Sequence, residues 1–234
     1  MKREWLPNLF TLGNLATGFT SLLFVFHSQF ELAAVAILVA GLLDGLDGRV
    51  ARLLGVTSPM GQELDSLADV VSFGVAPGLL LYALDLQYLG VFGAVLAAFF
   101  AACAGLRLAR FNVGTPNGYF VGLPSTAAGG IVASFVLYGA KLRSPFYPVL
   151  ALALAVLMVS RLRYRDFKRI NLTELRFSKL FLVLAVTSGV ALIDLRKLIF
   201  LPLVAYLLYG PKDSWLAARA ATRQISGQIN TQEA

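Results

Sequence analysis

The sequence predicts an all-α fold, a polytopic transmembrane bundle of about eight spans with both termini in the cytoplasm. Three observations carry that expectation. The chain of 234 residues is 58% hydrophobic and only 14% charged, whereas a soluble domain is about half apolar and about a quarter charged. Apolar runs long enough to cross a bilayer recur along the chain, a crossing helix needing about 20 such residues. Lys and Arg fall unevenly between alternate connections, as orientation in a membrane requires.

The apolar runs place spans near 8–27, 31–54, 62–84, 89–107, 121–140, 146–160, 179–194 and 197–210. The last three are short and suit tilted or re-entrant segments. Trp5, beside Lys2 and Arg3, suits an interfacial anchor ahead of the first span. The same basic start and apolar stretch, with small residues at Ala34 and Ala36, imitate a cleaved leader. The stretch is too long for one, carries Asn8 and Asn14, and is followed by more spans, so it reads as retained.

Sixteen of the 20 Lys and Arg fall on one side of this arrangement: the N-terminus, the second, fourth and sixth connections, and the tail. Lys141, Arg143, Arg196 and Lys197 fall on the other. That asymmetry puts both ends in the cytoplasm and makes the number of spans even. Between Arg161 and Lys179, bases alternate with Leu162, Tyr164, Phe167, Ile170, Leu172 and Leu175, a pattern for a segment lying along an anionic lipid surface. From Ser214 the chain turns polar, as a short helix fraying into a tail does. Residues 1–165 form the expected core, and 166–234 add the basic segment, two spans and the tail.

The net charge of +7 does not indicate nucleic acid, because the bases sit between apolar runs rather than on a soluble face. Cys103 is the only cysteine, which excludes an intrachain disulfide. His27 is the only histidine, so a zinc site has no ligand set.

Chemistry concentrates in Asp44-Gly-Leu-Asp47-Gly48-Arg49-Val-Ala51-Arg52, then eight residues, then Gly61-Gln-Glu-Leu-Asp65-Ser-Leu-Ala-Asp69. A carboxylate within a bilayer costs at least about 2.5–3.5 kcal/mol and by default marks a functional site. Asp44 and Asp47 are three residues apart at the end of the second span and share a helix face. Asp65 and Asp69, four apart at the start of the third, share another. The link from Leu53 to Met60, with Gly55 and Pro59, folds the two spans antiparallel and brings the four acids together. Arg49 and Arg52 cannot neutralise four aspartates, whereas two divalent cations can. Ligands that are all oxygen favour Mg²⁺, Mn²⁺ or Ca²⁺ over zinc or copper. Gly48 opens the backbone next to Asp47, Ala51 keeps the next turn clear, and Arg52 suits a diphosphate. Glu63 falls off the Asp65/Asp69 face and reads as solvated.

At these residues the chain resembles the CDP-alcohol phosphotransferase family, whose signature is D-x-x-D-G-x-x-A-R-x(8)-G-x-x-x-D-x-x-x-D. All eight fixed positions are present: Asp44, Asp47, Gly48, Ala51, Arg52, Gly61, Asp65 and Asp69. Within it, Leu6–Asn14, Asp69–Pro77, Leu106–Asn112 and Tyr119–Ser125 are similar to the membrane-integral, serine-accepting branch. The resemblance covers about residues 5–140 and implies a six-helix catalytic core, to which this chain adds two spans. It implies that Asp44, Asp47 and Asp65 ligate two divalent ions, with Asp69 bound nearby as general base. It further implies that Asn8, Thr11, Gly48, Arg52 and Ser58 contact the CDP moiety, and that the enzyme is a homodimer in the cytoplasmic membrane.

The expected reaction is transfer of a phosphatidyl group from CDP-diacylglycerol to L-serine, on a site facing the cytoplasm. Arg107 and Arg110, near Asn112 and Ser125, are candidate ligands for the serine carboxylate, although the arginines suit orientation-setting charges equally. Gly129 and Gly130 read as close-packing positions. The signature is shared by sister enzymes that use glycerol phosphate, inositol phosphate or an archaeal-type lipid. A divalent-cation transporter is the competing class, but it would spread polar groups across the membrane rather than gather them at one interface.

Overall fold

A computed structural model describes residues 5–56, 58–113, 119–138, 146–160 and 162–165. The expected spans at 179–194 and 197–210, the basic segment beyond residue 165, the tail and both chain ends lie outside these residues. Helix α1 spans Trp5–Phe26 and α2 Phe30–Leu54. Helix α3 (Pro59–Asp69) runs through a π-helical segment (Val70–Val75) into α4 (Ala76–Leu84), and a 3₁₀ turn (Leu86–Leu89) leads to α5 (Val91–Val113). After strand β1 (Tyr119–Val121) come α6 (Ser125–Leu137), α7 (Phe146–Val159) and strand β2 (Arg163–Arg165).

Among the described residues, three helical stretches are long and apolar enough to cross a membrane: α1, the continuous α3-to-α4 helix and α5. Helix α2 has 25 residues but carries Glu31, Asp44, Asp47, Arg49 and Arg52. Helices α6 and α7 are apolar but have only 13 and 14 residues, about 20 Å each.

Helix α1 is inverted relative to a soluble helix. It buries Pro7, Thr11, Asn14, Gly18, Ser21 and Val25, a stripe recurring every three or four residues. Its exposed positions include Leu9, Leu12, Phe19, Leu23 and Phe26. In lipid an outward leucine costs nothing, whereas small and polar side chains gain by packing and bonding between helices. The stripe faces α2, α3 and the π segment that follows α3, and α2 buries Ala33, Ala34, Ala36, Ile37 and Ala40. The Ser21 hydroxyl donates to the Ala33 carbonyl at 2.9 Å, tying the two helices.

Helix α2 stops at Gly55, whose φ of 64° is left-handed. The Gly55 amide donates to the Arg52 carbonyl and the Val56 amide to that of Ala51, the two-bond Schellman termination. Helix α3 then begins on Ser58, whose Oγ accepts the Gly61 amide at 3.0 Å, with Pro59 in the first turn. This is the reversal expected between the two acidic segments.

The third span contains a feature that its apolar pattern does not reveal. Directly after Asp69 the helix widens, and the Ala76 amide bonds to the Val71 carbonyl five residues back. Pro77 follows at the first turn of α4. Its ring would clash with the carbonyl four residues earlier in a regular helix, and it has no amide to donate. A wide turn relieves both problems. The π segment buries Ser72, Phe73 and Gly74 and packs on α1, α5 and α6. Gly18 admits Ser72, because a Cβ at Gly18 would lie 2.9 Å from the Ser72 Cα.

The all-α expectation holds for the described residues except for one short ribbon. Strands β1 and β2 pair antiparallel, with Tyr119 opposite Arg165, Phe120 opposite Tyr164 and Val121 opposite Arg163. Gly122, at φ 82°, then turns the chain, and the Leu123 amide donates to the Leu157 carbonyl at 3.0 Å. This extended stretch and Pro124 delay α6 to Ser125, four residues after the expected start. Helix α5 instead runs six residues beyond the expected end and carries Arg107, Arg110 and Asn112 within it. Gly129 packs against Phe73, where its Cβ would approach to 3.2 Å, the close-packing role expected of it.

Adding a methyl group at Gly18 would push α1 off the π segment. Gly18→Ala is expected to destabilise the detergent-solubilised protein by about 1–3 kcal/mol. Gly45→Ala, whose Cβ meets nothing within 4 Å, is expected to change stability by less than about 0.5 kcal/mol. Thermal unfolding of both variants beside the parent checks the pair.

Candidate active site

The last turns of α2 and the body of α3 carry the acids. Asp47 and Asp69 are buried, at 5% and 7% exposure, and Asp44 and Asp65 are half-buried. One carboxylate oxygen from each of Asp44, Asp47 and Asp65 lies within 4.8 Å of the others. Oxygens sharing one cation, with bonds of about 2.0–2.6 Å, lie no more than about 4–5 Å apart. The trio therefore fits a hard divalent cation by both spacing and donor type. Asp69 is not part of that tight set, but it lies within electrostatic reach of all three.

Helix α1 holds the acids from the side. The Thr11 hydroxyl lies 3.0 Å from Asp47 Oδ2 and donates to it, with the Pro7 carbonyl as a longer alternative at 3.3 Å. One turn further on, the Asn14 amide donates from Nδ2 to Asp69 Oδ1 at 3.0 Å. Hydrogen bonds to charged groups contribute about 1.5–3 kcal/mol each, so α1 is fixed to both acidic helices by its own polar stripe.

Above the trio lies an open cleft of about 190 Å³. Pro7, Asn8 and Thr11 of α1, Asp47, Gly48, Ala51 and Arg52 of α2, and Ser58, Gly61, Gln62 and Asp65 near the start of α3 line it, with Val56 between. All five residues expected to contact CDP, Asn8, Thr11, Gly48, Arg52 and Ser58, thus lie on one cleft with two of the acids. A Cβ at Gly61 would come within 3.1 Å of both Asn8 Oδ1 and Ser58 Oγ, so glycine there lets the first turns of α1 and α3 converge. A Cβ at Gly48 would sit 3.6 Å from the Arg52 guanidinium, in front of the one cleft-lining cation among the described residues. Glu63 is exposed, as its position off the acidic face predicts.

The four residues considered for a serine pocket divide into three places. Arg107 is buried at 7% exposure and donates to Ser125 Oγ at 3.1 Å. Arg110 donates to the Val159 carbonyl at the end of α7 at 2.9 Å. Asn112 donates to Ser66 Oγ at 2.9 Å, joining the end of α5 to α3. Only Arg107 and Ser125 are brought together.

Pro7, Val56 and Gln62 line the cleft without having been singled out in the sequence, and Asn14 touches an acid. Asn14 had a readable signal: an amide in an apolar span, one helical turn beyond Thr11, needs a partner. Gln62, an exposed polar residue in a first turn, has no such signal.

Comparison with known proteins agrees with the geometry. Residues 4–164 match the sequence model of the CDP-alcohol phosphatidyltransferase family. The CDP-diacylglycerol–serine O-phosphatidyltransferase of Helicobacter pylori (strain ATCC 700392 / 26695) is 35% identical, over 87% of this chain and 88% of its own length. The enzyme of the same name from Bacillus subtilis (strain 168) is 33% identical, over 71% of this chain and 93% of its own. The archaetidylserine synthase of Methanothermobacter thermautotrophicus is 38% identical, over 68% of this chain and 69% of its own. With its signature acids converging beneath one cleft and its apolar helices, this integral membrane chain belongs to the CDP-alcohol phosphatidyltransferase family.

Proposed function

We propose that the chain transfers a phosphatidyl group from CDP-diacylglycerol to L-serine, releasing CMP, in phospholipid biosynthesis. The observation that carries the reading is the convergence of Asp44, Asp47 and Asp65 beneath a cleft whose other walls suit a nucleotide diphosphate. The names of relatives at about 35% identity over most of the chain supply the acceptor.

In this reading Arg52 pairs with the diphosphate, and the open backbone at Gly48 lets it approach. Ser58 accepts the Gly61 amide, which leaves its hydroxyl hydrogen for the ligand. Asn8 orients the nucleotide from α1. Asp44, Asp47, Asp65 and Asp69 would hold two divalent ions, Mg²⁺ or Mn²⁺ with Ca²⁺ as the alternative, which would supply positive charge to stabilise the phosphoryl group in transfer. Asp69 takes the proton of the serine hydroxyl as that oxygen bonds to the phosphorus carrying diacylglycerol and the bond to CMP breaks. A serine hydroxyl is too weak an acid to lose its proton beforehand, so Asp69 acts as the transition state forms. Arg107 with Ser125 is the better-supported candidate for the serine carboxylate. Arg110 and Asn112 stay in the proposal as residues that hold α5 against α7 and α3 around it.

The cleft faces the cytoplasm, where serine enters and CMP leaves, and the enzyme sits in the cytoplasmic membrane as a homodimer among lipids. The similarity to an archaetidylserine synthase favours one second reading, the same acceptor with an archaeal-type lipid donor.

Purified protein in detergent, given CDP-diacylglycerol and a panel of labelled alcohols, is expected to incorporate serine into lipid. Preference for glycerol phosphate or inositol phosphate would overturn the acceptor, and activity only with an archaeal-type CDP-lipid would overturn the donor. Metal flux in proteoliposomes lacking any CDP-lipid would point to a transporter. Chelation by EDTA is expected to stop turnover, and Mg²⁺ or Mn²⁺ to restore it. Asp69→Asn should lower kcat by about 10²- to 10⁴-fold while CDP-lipid binding stays measurable by titration. Thr11→Val removes the donor to Asp47. It should raise the Mn²⁺ concentration for half-maximal activity about 10-fold or more, with Thr11→Ser restoring the parent value.

A further inference from the structure

We propose that Asn14 is a positioning residue for Asp69, fixing which carboxylate oxygen is presented to the reacting hydroxyl. The inference rests on the reading of Asp69 as the general base. Asn14 is fully buried and lies on the same α1 stripe as Thr11, one turn further from the cleft. Its Nδ2 donates to Asp69 Oδ1 at 3.0 Å. A carboxylate only accepts hydrogen bonds, so the amide must turn its nitrogen toward Asp69. That choice directs the Asn14 Oδ1 elsewhere, and there it is buried with no hydrogen-bond partner among the described residues.

The orphaned oxygen separates positioning from packing. A side chain retained only to fill space between α1 and the π segment would be apolar, or would have both ends of its amide satisfied. Asn14 has its nitrogen on an acid and its oxygen on none of the described residues, so the bond to Asp69 is what the amide provides. The backbone around it is also clamped. The Ser72 hydroxyl, in the π segment three residues after Asp69, donates to the Asn14 carbonyl at 3.1 Å. Gly18 clears the space that Ser72 occupies. Two contacts, one from a side chain and one to the main chain, therefore hold α1 and the start of the π segment in a single register. With Oδ1 of Asp69 engaged by Asn14, its Oδ2 is the oxygen left to receive the proton.

The test compares Asn14→Leu, which keeps the volume and removes the donor, with the parent enzyme in detergent. It uses CDP-diacylglycerol and whichever alcohol the parent accepts, so the identity of the acceptor does not affect the outcome. The expected result is a kcat about 10- to 100-fold lower, with KM for CDP-diacylglycerol within about threefold and a thermal midpoint no lower than the parent's. In an Asp69→Asn background, Asn14→Leu should cause no further loss of the residual turnover, because Asn14 acts only through Asp69. Turnover by Asn14→Leu within about threefold of the parent would overturn the proposal. So would an equal proportional loss in both backgrounds. If Asn14→Leu does not fold, Asn14→Ala, which adds no volume, is judged by the same criteria. Parental turnover by Asp69→Asn alone would remove the general-base reading and this proposal together. Failure of the Asn14 variants alone leaves the general-base reading in place.

Discussion

Carboxylates from two neighbouring helices share a small volume inside an apolar bundle, and this concentration of like charge constrains everything around it. Each acid would be costly singly and more so together, since within low-dielectric surroundings their mutual repulsion is poorly screened. The fold answers with two kinds of compensation. Fixed donors on α1 reach across to Asp47 and Asp69. The oxygens of Asp44, Asp47 and Asp65 lie close enough to serve a common cation, and an all-oxygen set of this kind suits hard divalent ions. The site is consequently an interface among α1, α2 and α3 rather than the property of one helix.

That requirement explains the inverted surface of α1. A helix bringing Thr11 and Asn14 to the acids must turn its polar side inward. In water the leucines and phenylalanines displaced outward would form an aggregating face, but beside lipid they are in their preferred medium. Small residues at the contacts, Gly18 against Ser72 and Gly61 against Asn8, let the backbones approach closely enough for short polar side chains to span the gap. Packing and chemistry are therefore met by the same stripe of residues.

Much of this was legible in the sequence, and the reasons differ by residue. The acids stood out because charge in an apolar run is expensive, and their intervals of three and four gave the shared faces without any tertiary information. Gly55 and Pro59 announced the reversal because each has a specific backbone role. Asn14 was visible as a polar residue in a span, but its partner lies 55 positions away, and periodicity does not supply long-range pairing. The π segment was hidden because an uninterrupted apolar run looks the same in either helical form. The ribbon of β1 and β2 has three residues on each side, too few for an alternating pattern. Arg110 and Asn112 looked like companions of Arg107 because they are adjacent in sequence. Arg110 shares a helix face with Arg107 but reaches the Val159 carbonyl of α7 instead, and Asn112, five positions from Arg107, turns away and bonds Ser66 of α3.

The wide turn after Asp69 has a consequence for how the two halves of its span are phased. A π turn adds close to one residue to a regular turn, rotating the downstream residues by about 100° relative to a continuous α-helix. The acidic half can thus keep its aspartates aimed at α1 and α2 while the apolar half packs among α1, α2, α5 and α6 at its own angle. The span behaves like a shaft with an indexed coupling partway along its length.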